Sequence, residues 1–138
     1  NNVAIVASNI AKDKKIRKLV HSFQLKCAYN PPKKYKGSSL DGRDICSVIV
    51  PDADIKLFIT ANIKTRAMRR FRELKAQNNE ISYQDVLKSI KKRDKSDIKR
   101  KISPLKKTND SILLNTSNLS IRLCFLKIKK IIDNKIFN

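Results

Sequence analysis

Apolar residues recur along the chain in two rhythms. Within residues 14–26, Ile16, Leu19, Val20 and Phe23 fall on one side of a helix, and residues 3–11 read as a shorter helical segment joined to it near Lys12-Asp13. Asn30-Pro31-Pro32 should end the helix, because proline lacks an amide donor and pushes its predecessor toward extended backbone. Residues 33–39 are a polar, basic link. The rhythm then changes across residues 40–61. Asp41-Gly42-Arg43-Asp44 forms a compact charged turn, residues 45–50 are an apolar run, and Pro51-Asp52-Ala53-Asp54 makes a second turn. Residues 55–60 are β-branched and aromatic, which predicts a strand. The Asp-Gly-Arg-Asp turn is either a plain surface turn or one that holds a ligand beside a short buried strand.

Helical spacing returns after Asn62, which can cap a helix over 63–77. Ile63, Ala67, Phe71 and Leu74 form its inner stripe, and Arg66, Arg69, Arg70 and Arg72 crowd the other faces, with Arg69 placed to pair with Glu73. So dense an arginine cluster is either a solvated face or a phosphate contact. Asn78-Asn79 separates this helix from one over 82–101. There, Val86 and Ile90 begin an inward stripe whose next helical steps are Arg93, Asp97 and Arg100. Charges on a core-facing stripe are costly unless paired. They suit an anionic ligand with a hydroxyl-bearing sugar, or an internal arginine–aspartate ladder where the helix leaves the core. Ser103-Pro104 stops the helix, residues 111–114 predict a strand, and Asn115-Thr116-Ser117 a turn. Ser120 can cap a final helix to about 137, whose Ile121, Leu123, Phe125, Ile128, Ile131 and Ile132 are apolar enough to dock on a sheet. The order from residue 40 is turn, strand, helix, helix, strand, helix: an α/β pattern with part of its sheet missing.

Composition narrows this picture. The 138 residues suit a single domain. No apolar run approaches the roughly 18 residues of a membrane span, and no signal peptide is visible. Cys27, Cys46 and Cys124 lack disulfide or metal-ligand spacing and fit reduced thiols in a cytoplasmic protein. His21, the sole histidine, has no partner at a useful spacing and fits a surface or core-edge position. A net charge of +20 reads as phosphate affinity or as lysine drift in a coding sequence that also favours Asn and Ile. Aromatics at 6% and scattered lysines weigh against an RNA-binding module. The chain begins Asn1-Asn2 and has Met68 as its only methionine, as a fragment would.

The words GRDICSVIVPDADIKLFITA, TRAMRRFREL, IKKRDKSDIKRKISPLK and NDSILLNTSNLS, in that order, resemble the bacterial cytidylate kinases, P-loop nucleoside monophosphate kinases acting on CMP and dCMP. The resemblance runs from about residue 3 to 120. It implies an incomplete P-loop kinase fold, a parallel sheet flanked by helices without its first strand or P-loop. By the same resemblance, Ser8, Arg17 and Asp44 would recognise cytosine, Arg93 and Asp97 the ribose, and Arg43 and Arg100 the phosphate, the last two acting in catalysis. Arg66, Arg69 and Arg70, with the segment after them, would form the lid over ATP-Mg. The parts would be a CMP-binding helical region (1–39), a central turn and strand (40–61), lid helices (62–101) and a last strand and helix (102–138). A monomeric complete enzyme, moving the γ-phosphoryl of ATP to CMP or dCMP, is implied, with neither membrane nor nucleic acid as partner.

The sequence also departs from the family. Cys46 stands where the family has glycine, residues 35–39 make a poor strand, Asn115 replaces the usual aspartate, and the last helix lacks early acidic residues. No G-x-x-x-x-G-K-[ST] occurs, and the only glycines are Gly37 and Gly42. The expectation is therefore an acceptor-binding part whose ATP loop lies elsewhere and which is inactive without it. A basic RNA-binding module and a non-functional remnant are the alternatives.

Overall fold

The computed structural model describes Val6, Ile10, residues 13–77 and residues 80–137. Of the predicted 3–11 helix only Val6 and Ile10 are described, both helical, and the Asn78-Asn79 break lies outside the described residues. Helix α1, Lys14–Tyr29, starts where the Asp13 carboxylate accepts from the amides of Lys15 (2.7 Å) and Ile16 (3.1 Å). Its last residue, Tyr29, lies three residues beyond the predicted limit, and Asn30 caps it before the two prolines.

The apolar run that follows is a single π-helical turn, Ile45–Ile49. Its defining bond joins the Val50 amide to the Ile45 carbonyl at 2.8 Å, and the Asp44 carbonyl accepts from both Val48 and Ile49. Gly42 is needed just before it. A Cβ there would sit 2.9 Å from Cγ1 of Ile45, a side chain already fixed in the core.

Strand β1, Leu57–Thr60, leads to helix α2, Ile63–Ala76, capped by Asn62, whose side chain accepts from the Thr65 amide at 2.7 Å. Helix α3, Tyr83–Lys99, is capped by Ser82, strand β2 is Ile112–Asn115, and helix α4, Ile121–Ile136, is capped by Ser120. The strands pair in parallel with Leu57 opposite Ile112 and Thr60 opposite Asn115. Helices α2 and α3 are the crossover that parallel pairing requires. Thr116 extends the ladder by donating its amide to the Thr60 carbonyl at 2.7 Å. Both strands are shorter at their starts than predicted, and β2 runs one residue further.

Two hydrophobic clusters hold these elements. Ile45, Ile49 and Val50 pack with Leu25, Ala28, Leu40 and Ala53, so the π turn is the anchor of α1. Ala67, Leu74 and Val86 pack with Phe71, Ile81, Tyr83, Leu87 and Ile90, joining α2 to α3, and Phe71 meets Tyr83 edge-on. The apolar faces of α1 and α4 are a different matter. Leu19 is 73% exposed, Phe23 67%, Ile121 92% and Phe125 63%; of the stripe expected to dock the last helix, Ile128, Ile131 and Ile132 are half-buried and the rest exposed. Among the described residues no helix is long and apolar enough to cross a membrane, and Cys27, Cys46 and Cys124 are free thiols. His21 is half-buried.

One exposed clasp ties the loops that enter the two strands. The Lys56 ammonium donates to the Pro51 carbonyl and to the Asp110 carboxylate. The Lys56 contact, helped by Thr108, holds the Asp110 carboxyl below its ordinary 3.8. A depressed carboxyl stabilises the fold fully above its unfolded pKa and loses that contribution as pH falls through the lower folded value. Thermal melts followed by circular dichroism between about pH 5 and pH 3 should therefore fall less steeply in Asp110→Asn than in the parent chain.

Candidate functional site

The charged turn, α1 and the C-terminal end of α3 converge on two carboxylates. Asp44 Oδ2 lies 2.9 Å from Arg17 Nη2 and 3.9 Å from Arg100 Nη2. Asp97 Oδ2 lies 3.1 Å from Arg43 Nε and 3.9 Å from Arg93 Nε, and its Oδ1 lies 3.9 Å from Arg100 Nη1. The aspartate side chains are 13% and 14% exposed, whereas Arg93 is 64% exposed and reaches outward.

Local sequence explains the convergence. The π turn fixes Asp44 through its carbonyl, so the carboxylate is presented from a rigid corner, with Arg43 beside it. Val86 and Ile90 set the rotation of α3, and three-to-four-residue steps then carry Arg93 and Asp97 to the same side, with Arg100 as the capping residue. The ladder is made, but incompletely. Four arginines face two aspartates, a formal surplus of +2. Among the described residues Asp97 Oδ2 is buried without a hydrogen-bond partner, its ion pair with Arg43 being poorly aligned. An uncompensated positive surplus beside an acceptor lacking a donor is matched by a ligand that brings both an anion and a hydroxyl.

Next to Asp44 lies an open groove of about 780 Å³. Arg17, Asp44 and Ser103 are among its polar lining, with Lys14, Lys18, His21 and Gln24, and Val20, Ile49 and Ile102 are among its apolar lining. A flat, edge-polar group fits such a slot.

Among the residues predicted to form the site, Arg17, Arg43, Asp44, Arg93, Asp97 and Arg100 are thus brought together, while Ser8 lies outside the described residues. Arg66, Arg69 and Arg70 are engaged elsewhere. Arg66 makes a two-pronged bond to Asp94 at 3.0 and 2.8 Å, tying α2 to α3. Arg69 donates to the Thr116 carbonyl at 2.6 Å, tying α2 to the end of β2, and this displaces the predicted pairing with Glu73, which Arg70 takes instead at 2.8 Å. Sequence reasoning passed over Ser103, which receives a hydrogen bond from Arg17 Nη2 at 2.6 Å and one from Arg100 Nε on its carbonyl. Its only mark in the sequence was a position before proline.

The arrangement gathers four arginines around two carboxylates on a parallel α/β scaffold. A family model for cytidylate kinase matches residues 1–134. Similar proteins include the cytidylate kinases of Bartonella bacilliformis, 42% identical over 96% of this chain, and Thermosipho melanesiensis, 38% identical over 96%. That of Bacteroides thetaiotaomicron is 50% identical over 64% of the chain and 38% of its own length. The chain belongs to the cytidylate kinase family, within the P-loop nucleoside monophosphate kinases. It spans about 60% of the length of the Bartonella bacilliformis and Thermosipho melanesiensis relatives.

Proposed function

We propose that the site is the acceptor half of a cytidylate kinase, which holds CMP or dCMP while the γ-phosphoryl of ATP is transferred to it. The observation that carries this reading is the pair of nearly buried carboxylates, Asp44 and Asp97, shared among four arginines with one carboxylate oxygen left without a hydrogen bond. Cytosine would lie in the groove against Arg17 and Asp44, with Ser8 completing its recognition. Asp97 Oδ2 would accept from a ribose hydroxyl beside Arg93. Arg43 and Arg100 would receive the phosphate and spread its growing charge.

The residues described do not fit ATP-Mg. Neither glycine lies in a phosphate-cradling loop, and no phosphate-loop lysine motif occurs. No step is therefore assigned to ATP within this chain, and an ATP loop from outside the described residues is needed for activity. Arg66, Arg69 and Arg70 would act as lid arginines only by exchanging Asp94, Thr116 and Glu73 for phosphate.

Calorimetry tests the reading directly, once circular dichroism has established that the chain is helical. CMP should bind, AMP should bind at least about tenfold more weakly, and moderate salt should reduce CMP affinity only modestly. A folded chain that does not distinguish CMP from AMP overturns the proposal. Binding of single-stranded RNA with a steep salt slope would favour the basic-module alternative.

A further inference from the structure

We propose that Ser103 is a positioning residue that sets base selectivity by clamping Arg17 and Arg100 onto Asp44. This rests on the acceptor-site reading above and assigns a part of that site to a residue that the sequence marks only as a helix stop before proline.

Three features of the turn after α3 carry the inference. First, Ser103 is the only residue other than glycine with positive φ among those described, at 51°. It also precedes Pro104, where backbone is normally driven extended. Such a conformation persists only where surrounding contacts determine it, and it marks functional turns more often than plain ones. Second, those contacts are present. The Leu105 amide donates to the Asp97 carbonyl at 2.8 Å, curling the chain back beneath α3, and the Ser103 carbonyl accepts from Arg100 Nε. Third, the curl aims the Ser103 hydroxyl across the groove at α1. Its oxygen accepts from Arg17 Nη2 at 2.6 Å, and the same nitrogen lies 2.9 Å from Asp44 Oδ2.

Arg17 Nη2 is thereby pinned between a carboxylate and a hydroxyl that come from different elements. A long side chain held at one point can swing, and one held by two acceptors keeps one orientation. Through its carbonyl the same serine fixes Arg100, which also approaches Asp44. One turn thus sets the spacing between the groove and the neighbouring Asp97 cluster.

Three variants separate the hydroxyl from the backbone. Ser103→Ala removes the hydroxyl and keeps the cost of positive φ. Ser103→Gly removes both. Ser103→Asn keeps an acceptor and tolerates the left-handed conformation. Calorimetry with CMP and UMP, and thermal melts, are read on the full chain. Ser103→Ala and Ser103→Gly should bind CMP about five- to tenfold more weakly and lose most of the preference for CMP over UMP. Ser103→Gly should melt no lower than the parent, and Ser103→Asn should restore the preference. Unchanged selectivity in Ser103→Ala overturns the proposal. So does parental selectivity in Ser103→Gly, which would make the turn rather than the hydroxyl responsible. A parent chain that ignores CMP would instead defeat the acceptor-site reading itself, so the two failures are distinct.

Discussion

Asp44→Ala should abolish measurable CMP binding. Asp44 is the carboxylate that approaches both Arg17 and Arg100, at 2.9 and 3.9 Å. Its loss removes charge-assisted contacts that order the groove, at a cost to binding of roughly 3 kcal/mol, which is a hundredfold or more in affinity. The arginines, 23% and 27% exposed, would be left facing each other, and partial solvation limits the accompanying stability loss to about 1–2 kcal/mol. Asp44→Asn preserves shape and separates these effects. It should melt closer to the parent while still binding at least about tenfold more weakly, because a neutral amide can accept from an arginine but offsets the charge of neither. Titration calorimetry beside melts is the check. A variant that melts lower but binds CMP normally would make Asp44 a structural corner and nothing more.

The second large effect concerns turnover. The chain alone should show no CMP-dependent ATP consumption above background in a coupled assay. Joining a P-loop strand and helix of the family's type ahead of residue 1 should raise that rate by at least about a thousandfold, since phosphoryl transfer depends on positioning and charge stabilisation around the transferred group. The same fusion should raise the melting temperature. Leu19 and Phe23 of α1, and Ile121 and Phe125 of α4, are largely exposed. Covering each is worth about 1.5–3 kcal/mol. A parallel sheet is ordinarily covered on both faces, whereas Ile59 and Leu113 remain exposed on the sheet, which has two strands among the described residues. A fusion that gains stability and binds CMP but makes no CDP would direct attention to Cys46 and Asn115, the departures beside the turns.

Much of this site was legible in the sequence because it rests on local rules. Asn62, Ser82 and Ser120 each cap a helix with a side-chain oxygen, a signal confined to four residues. The step from Val86 and Ile90 to Arg93, Asp97 and Arg100 is pure helical periodicity, and it led to the carboxylate that gathers the arginines. What was not legible depends on residues far apart in sequence. An apolar run of six is compatible with strand or helix, and only packing against Leu25 and Ala28 selects the π turn at Ile45–Ile49. Arg69 could have paired along its own helix. The carbonyl of Thr116, 47 residues away, was the better acceptor. Ser103 was marked only as a helix stop before proline, because its further role is to answer Arg17, 86 residues distant.

The two hydrophobic clusters share no residue. The first belongs to α1 and the π turn, the second to α2 and α3, and charged contacts from Arg17, Arg43 and Arg100 bridge them. Each cluster is therefore expected to open as a unit of its own in the absence of ligand. A nucleotide spanning Asp44 and Asp97 would be gripped by both units at once. Its binding would fuse two local melting events into one, and amide exchange in α1 and α3 would slow together rather than separately.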